Sequence, residues 1–173
     1  MEFFDVLRAR HSIRAYANTP VEEGKLDKIL EAVNLAPTAG NLQAFEVYVV
    51  TSADQQEQLV SAVSGQTFLA QAPVVLVFCA HAARSAKKYG QRGIELYCLQ
   101  DVTIACTYAM LSATALGLST VWVGAFDEDK VSEIISVPKA HRPVAMLPVG
   151  YAAEKPPIRD RRRLSDLVHI VKK

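Results

Sequence analysis

A run of 25 residues without a charge, from Val102 to Phe126, is the feature that most constrains the fold of this chain. A run of that length must be buried, and it exceeds the roughly 20 apolar residues that cross a bilayer. Gly117 and Ser119 interrupt it, however, and seven of its side chains carry hydroxyl groups. The pattern therefore predicts a buried helix followed by a buried strand, and no membrane span.

The composition is that of a globular protein. The chain has 173 residues, of which 50% are hydrophobic and 21% charged, which excludes a disordered, collagen-like or low-complexity chain. This length predicts one domain, over residues 1–173, that can bury a core without disulfides or metals. The three cysteines lie in apolar segments and form no CxxC pair, so we expect neither a disulfide framework nor a zinc site, and a reducing cytoplasm as the location. The acidic N-terminus does not resemble a signal peptide.

The net charge of +1 conceals an uneven distribution. Residues 155–173 hold seven basic and two acidic side chains, which gives this C-terminal tail a charge of +5. Residues 1–14 carry +1, and the long middle of the chain carries −5. The near-neutral net charge of the whole chain does not indicate a polyanionic partner. The basic tail could still bind a smaller anion.

Apolar spacing and end signals predict an α+β domain. A capping box of Ser52 and Gln55 starts one helix, Thr19 and Pro20 are expected to start another, and Gly117 is expected to end the longest. Residues 74–79 are apolar on both faces, which predicts the central strand of a sheet. We expect helices over 2–10, 20–36, 53–63, 95–116 and 128–135, strands over 45–51, 74–79, 119–124 and 143–151, and a charged loop over 84–93.

Two basic segments could bind an anion. In extended backbone Arg10, Ser12 and Arg14 project to one side, which places two guanidinium groups and a hydroxyl where a phosphate monoester needs donors. Arg161 and Arg163 repeat this alternation in the tail. Either segment could instead be solvated, and the tail could contact nucleic acid. The two clusters could also converge on a single dianion, and composition alone does not choose between these possibilities.

Two further segments could contact a flat ligand. The turn from Pro37 to Asn41 carries small polar side chains that can bond a polyol or a ring edge, although such a turn is common in any fold. Gly124 and Ala125 follow a predicted strand, and their small side chains would let a ligand approach the backbone amides. A tight exit from the strand would explain the same pair.

Taken together and in order, these segments resemble the FMN-dependent nitroreductase family over residues 10–164. The resemblance rests on Arg10-His11-Ser12-Ile13-Arg14, Pro37-Thr38-Ala39-Gly40-Asn41-Leu42-Gln43, the run from Ala115 to Phe126, Pro148-Val149-Gly150-Tyr151, and Arg161-Arg162-Arg163-Leu164. It implies a nitroreductase-like α+β fold with a mixed, mostly antiparallel central sheet flanked by helices. It also implies a long buried helix at the core of a homodimer that holds FMN at the subunit interface.

The resemblance also assigns expected roles to residues. Arg14 and Gln66 would lie near the pyrimidine edge of the flavin, where a cation tunes reduction. Gly124 and Ala125 would present backbone to flavin N5, and a loop would be donated across the dimer interface. The expected phosphate-binding residues are Arg10, Ser12, Arg161 and Arg163 with His11 alongside, and the expected loop residues are Pro37, Thr38, Ala39 and Asn41.

The reaction implied by this resemblance is hydride transfer from NADH or NADPH to FMN N5, followed by reduction of a small acceptor such as a nitroaromatic or quinone at the same face. No catalytic side chain or metal is expected, and His81, His141 and His169 have no charge partner recognisable in the sequence. The alternatives are reductive dehalogenation, flavin fragmentation, or flavin binding without turnover. The chain differs from longer members in having only the predicted loop 84–93 where those members have helical insertions. Those insertions shape the substrate pocket, so the resemblance implies no particular substrate for this chain.

Overall fold

The fold is built on a four-stranded sheet. A computed structural model describes residues 1–156 and 158–172, so Pro157 and Lys173 of the predicted basic tail lie outside the described residues. The strands are β1 (Phe45–Val50), β2 (Val74–Ala80), β3 (Ser119–Thr120) and β4 (Arg142–Gly150), in the spatial order β1-β2-β4-β3. All neighbouring strands are antiparallel, and one parallel bridge joins Ser12 to Thr120. The α+β fold with a mostly antiparallel sheet is confirmed.

Helices cover both faces of the sheet. They are α1 (Phe3–Ala9), α2 (Glu23–Asn34), α3 (Ala53–Ala62), α4 (Phe68–Gln71), α5 (Ala82–Arg92), α6 (Cys98–Ala115), α7 (Glu128–Ile134) and α8 (Leu164–Leu167). One apolar cluster packs Leu76 and Phe78 of β2 against α2 and α6. The other packs Val75 and Val77 against α3, α4 and α7. Every residue of β2 is buried, which confirms it as a central strand.

The uncharged run folds mostly into α6, the longest helix. Its buried side includes Val102, Ala105 and Ala109, each without exposed surface. Gly117, with φ +78°, ends the helix, because Leu118 then donates its N–H to the carbonyl of Ala113 at 2.9 Å. The expected buried helix is confirmed. Within residues 1–156 and 158–172, no helix has both the length and the apolarity that crossing a bilayer requires.

Two helix predictions were wrong. α2 begins at Glu23, not at Pro20, because the Glu22 carbonyl accepts the N–H groups of Lys25 and Leu26, and the Glu22 carboxylate bonds Tyr151. The segment predicted as a charged loop is α5, in which the left-handed Gly90 marks a break, followed by a π-helical turn over Gly93–Tyr97. This helix was not predicted because its polar, glycine-containing sequence is typical of a loop.

The predicted strand 119–124 is also shorter than expected. After Thr120 the chain leaves the sheet, and only Val123 returns to pair with Met146, through two 2.9 Å backbone hydrogen bonds. The tail contains the short helix α8, which begins after the alternating arginines; Arg163, the residue before it, has the extended backbone that the alternation assumed. By contrast, Ser52 caps α3 as its pattern predicted, accepting the N–H of Gln55 at 3.4 Å.

Candidate functional site

The basic segment after α1 is held against the edge of the sheet. Ile13 is buried and donates its N–H to the carbonyl of Thr120 at 3.1 Å. The buried Tyr16 hydroxyl donates to the carbonyls of Ile13 at 2.9 Å and Pro148 at 3.3 Å. Burial raises the pKa of Tyr16, so this hydroxyl remains a donor at neutral pH. These contacts hold the backbone directly after Ser12 against the sheet.

The tail and this segment form one basic cleft. Its volume is about 290 Å³, and Arg10, Ser12 and Arg161 face into it from opposite ends of the sequence. We call this cavity the basic cleft; its lining residues are Arg10, His11, Ser12, Arg14, Pro156, Arg159 and Arg161. The structure thus brings five of the sequence-predicted site residues together.

The basic cleft holds four guanidinium groups, one imidazole and one hydroxyl. Arg14 donates its backbone N–H to the Glu154 carboxylate. Planar guanidinium groups match the tetrahedral oxygens of a phosphate by paired hydrogen bonds. The arrangement therefore suits a compact dianion, whereas a long polyanion would require a continuous basic surface.

Arg163 is placed differently from Arg161. It is the residue before α8, is exposed, and is absent from the lining of the basic cleft. Arg162, between them, donates to the backbone carbonyl of Asp166. Arg159 lines the cleft instead; it lies two positions before Arg161 in the same alternation but was not among the expected phosphate-binding residues.

The turn from Pro37 to Asn41 lies along α6 in a second cavity. Pro37, Thr38 and Ala39 line this cavity of about 640 Å³ together with Tyr97 and Asp101, among other residues. Asn41 is exposed, at φ +56°, and accepts from the Gln43 side chain at 3.4 Å. Gly40 is also left-handed, and a Cβ there would meet the Tyr89 hydroxyl at 2.5 Å, so glycine permits the close approach to α5.

Asp101 holds this turn in place, and sequence reasoning missed it. The Asp101 side chain is buried on α6 and its Oδ1 accepts the N–H of Ala39 at 2.8 Å, while Oδ2 has no hydrogen-bond partner within the described residues. Burial raises the pKa of this carboxyl, against the opposing effect of the Ala39 and Ala44 amides. The available signal was a carboxylate directly before the 25-residue uncharged run, within a helix that the sequence predicted to be buried.

The remaining predicted residues lie apart from the basic cleft. Gly124 and Ala125 are exposed, directly after Val123 returns to the sheet. A Cβ on Gly124 would lie 3.0 Å from the Trp122 indole nitrogen, so a larger residue there would require the Trp122 side chain to shift. Gln66 is half-buried in the turn between α3 and α4. Neither group lines the basic cleft or the cavity along α6.

Two histidines have partners that the sequence did not reveal. His81 Nδ1 lies 3.2 Å from Glu46 Oε1, and the Tyr48 hydroxyl lies 2.7 Å from His141 Nδ1. The expectation that neither histidine has a charge partner was therefore wrong for His81. These contacts join residues 35 and 93 positions apart, which spacing in the chain cannot show.

A cleft lined by four arginines at one edge of an α+β sheet has the charge and size that suit a small anion. The chain belongs to the nitroreductase family, whose model matches residues 7–68 and 60–151.

Similar proteins agree with this assignment. The chain is 32% identical to "FMN reductase [NAD(P)H]" of Bacillus subtilis, over 89% of this chain and 67% of the relative. It is 32% identical to "NADH dehydrogenase" of Thermus thermophilus, over 84% of each chain. The crystal structure of a nitroreductase family protein from Clostridium difficile superposes with a TM-score of 0.86 at 30% identity and covers 98% of each chain.

Proposed function

We propose that this protein is an FMN-dependent oxidoreductase that takes hydride from NADH or NADPH and delivers it to a small acceptor such as a nitroaromatic or a quinone. The observation that carries the proposal is the convergence of Arg10, Ser12 and Arg161 in one cleft of a nitroreductase-family chain. The names of the two relatives supply the nicotinamide donor and, for one of them, the flavin. Each subunit would be a single domain, and a second copy of the chain would complete the site.

The donors of the basic cleft fit the phosphate of FMN. A phosphate monoester carries close to two negative charges and three acceptor oxygens at neutral pH. The guanidinium groups of Arg10 and Arg161 and the Ser12 hydroxyl can meet those oxygens, with His11 and Arg159 alongside. Arg163 would join them only if the tail rearranges when the ligand binds.

The chain's own residues would position and tune the cofactor. When bound, FMN supplies the hydride-accepting and hydride-donating ring. Arg14 would place a positive charge near the pyrimidine edge, and Gln66 would add an amide there. The exposed backbone at Gly124 and Ala125 would lie against the ring, because no large side chain blocks it. No side chain is proposed as nucleophile or as general acid or base.

A homodimer would complete the site, since the turn over 37–41 lies in a separate cavity from the basic cleft. Apolar surface along α6 and α1 supports this part of the proposal. Phe3 and Phe4 are more than 60% exposed, and Tyr108 of α6 lines a groove of about 510 Å³ with Phe3 and Leu111. Burying such side chains in a subunit interface is favourable by roughly 25 cal/mol per Å² of apolar area. A cytoplasmic location is part of the same proposal, as the sequence predicts.

Reconstitution with FMN tests both parts of the proposal. The protein, loaded with FMN and freed of excess, is passed through size-exclusion chromatography with light scattering and flavin absorbance. We expect one FMN per chain and a mass of twice 18.9 kDa. A colourless protein that takes up no FMN would contradict the cofactor assignment, and a flavin-loaded monomer would contradict the shared site.

A further inference from the structure

A cluster of potential metal ligands lies at one edge of the sheet. Glu46 is the second residue of β1, His81 directly follows β2, and His141 directly precedes β4. The antiparallel register pairs Glu46 with Cys79 and Ala80 with Arg142, so the start of β1, the end of β2 and the start of β4 meet at this edge. The fold therefore gathers three residues that are far apart in sequence.

The donor atoms are close enough to share one ion. A carboxylate oxygen of Glu46 and one ring nitrogen each of His81 and His141 lie within 4.8 Å of one another. All three residues are half-buried, and the two imidazole ring centres are 4.7 Å apart. Imidazole and carboxylate donors suit Zn²⁺, which binds them at about 2.0–2.2 Å after a small contraction of such a cluster.

Outer hydrogen bonds orient two of the three ligands. The Tyr48 hydroxyl holds Nδ1 of His141, which leaves Nε2 to face a metal. Arg84 donates to Glu46 Oε1 at 2.6 Å and to the Gln43 carbonyl at 2.6 Å. His81 also contacts Oε1, so within the described residues Oε2 is the oxygen left for a cation. Metal-binding histidines and carboxylates in proteins generally have such outer partners.

Open space and charged side chains surround the His141 side of the cluster. His141 lines a cavity of about 320 Å³ with two acidic residues and two basic ones, which are Glu128, Asp129, Lys139 and Arg142. Arg142, the neighbouring cation, is paired with both oxygens of Glu128 at 2.8 Å, and this pairing lowers the pKa of Glu128. Arg84 is paired with Glu46 itself at 2.6 Å, so zinc would share this carboxylate with one guanidinium group.

We propose that Glu46, His81 and His141 bind a Zn²⁺ ion with water in the fourth position, at a site distinct from the basic cleft. This revises the sequence-based expectation of no metal. Two imidazoles and a carboxylate leave one coordination position open, as in zinc sites that bind a water or an exogenous ligand. The ion would link the ends of β1, β2 and β4. This edge of the sheet is next to Gln43, whose carbonyl accepts a hydrogen bond from Arg84.

The test is calorimetric titration of the FMN-loaded, chelator-treated protein with zinc chloride, repeated with Co²⁺ for its visible absorption. We expect saturable binding of one ion per chain and a rise in melting temperature with added zinc. Tyr48→Phe, which removes only an outer partner, should weaken zinc binding by about 10- to 100-fold. Glu46→Gln and His141→Gln should weaken it by more than that, because each removes a ligand.

His169→Ala is the matched control, because His169 is an exposed histidine in the tail. It should bind zinc as the unmodified protein does, and flavin content should be unchanged in every variant, since none of these residues lines the basic cleft. The absence of zinc binding in the unmodified protein would overturn the proposal. If Glu46→Gln and His141→Gln bound zinc as tightly as the unmodified protein does, that result would overturn it too. Loss of zinc binding in His169→Ala would also overturn it.

Discussion

Replacing both Arg10 and Arg161 with alanine is expected to weaken FMN binding by roughly 100- to 10,000-fold. Each hydrogen bond between a charged side chain and its partner contributes about 1.5–3 kcal/mol, so two guanidinium groups contribute about 3–6 kcal/mol. A free-energy change of about 1.4 kcal/mol corresponds to a tenfold change in affinity. Arg161 is exposed, so solvent screening favours the lower end of this range. Quenching of FMN fluorescence during titration of the apoprotein measures the affinity.

Arg162→Ala is the matched control for this double substitution. It removes one tail guanidinium, which bonds the backbone at Asp166 and does not line the basic cleft. Its FMN affinity should remain within a few-fold of the unmodified protein. Arg163→Ala should weaken binding less than Arg161→Ala, because only Arg161 faces the basic cleft. Unchanged FMN affinity in the Arg10→Ala, Arg161→Ala protein would show that the phosphate binds elsewhere.

Asp101→Ala is expected to destabilise the protein by about 1–3 kcal/mol, because the Ala39 amide loses its acceptor in a half-buried turn. If the turn over 37–41 forms part of the flavin site, FMN affinity should fall as well. Urea unfolding and FMN titration measure the two effects. Gln100→Ala, which alters the same cavity without touching the turn's hydrogen bond, should change neither by a comparable amount.

The variant Asp101→Asn keeps a side-chain oxygen that can accept the N–H of Ala39 but cannot ionise. It therefore distinguishes the effect of the hydrogen bond from the effect of the negative charge. Burial raises the pKa of Asp101, so the folded protein holds this proton more tightly than the unfolded chain does. The resulting stability is present at low pH and is lost as the pH rises through the folded-state pKa. The unmodified protein should therefore gain stability relative to Asp101→Asn on acidification. A pH-independent difference between the two would contradict the buried carboxylate.

Local signals in the sequence predicted the elements that short-range chemistry determines. The cap at Ser52, the stop at Gly117 and the all-apolar β2 depend on residues a few positions apart, and the structure has all three. Helix α5 was missed because its charged, glycine-containing sequence looks like a loop. After the break at Gly90 the chain folds back on this helix, so that Gly93 lies against Ser85 and the Tyr97 ring packs against Tyr89, contacts that the residue types alone do not reveal.

Alternation in extended backbone predicted part of the candidate site. Arg10, Ser12 and Arg14 all line the basic cleft and Ile13 between them is buried, but His11 lines the cleft as well, which alternation does not predict. The meeting of this segment with Arg161 required the family resemblance, because about 150 residues separate them. The bond from Ala39 to Asp101 and the Glu46–His81 pair depend on the register of strands and helices, so neither could be found before the fold was known.

Anaerobic reduction of the FMN-loaded protein tests the central claim most directly. NADH or NADPH is added in stoichiometric amount while the flavin absorbance near 450 nm is followed, and a nitroaromatic or quinone is then added without oxygen. We predict that at least one nicotinamide bleaches the flavin and that the acceptor restores its colour. A protein that binds FMN tightly yet stays yellow with both nicotinamides would be a flavin-binding module without turnover, and that result would contradict the proposed oxidoreductase.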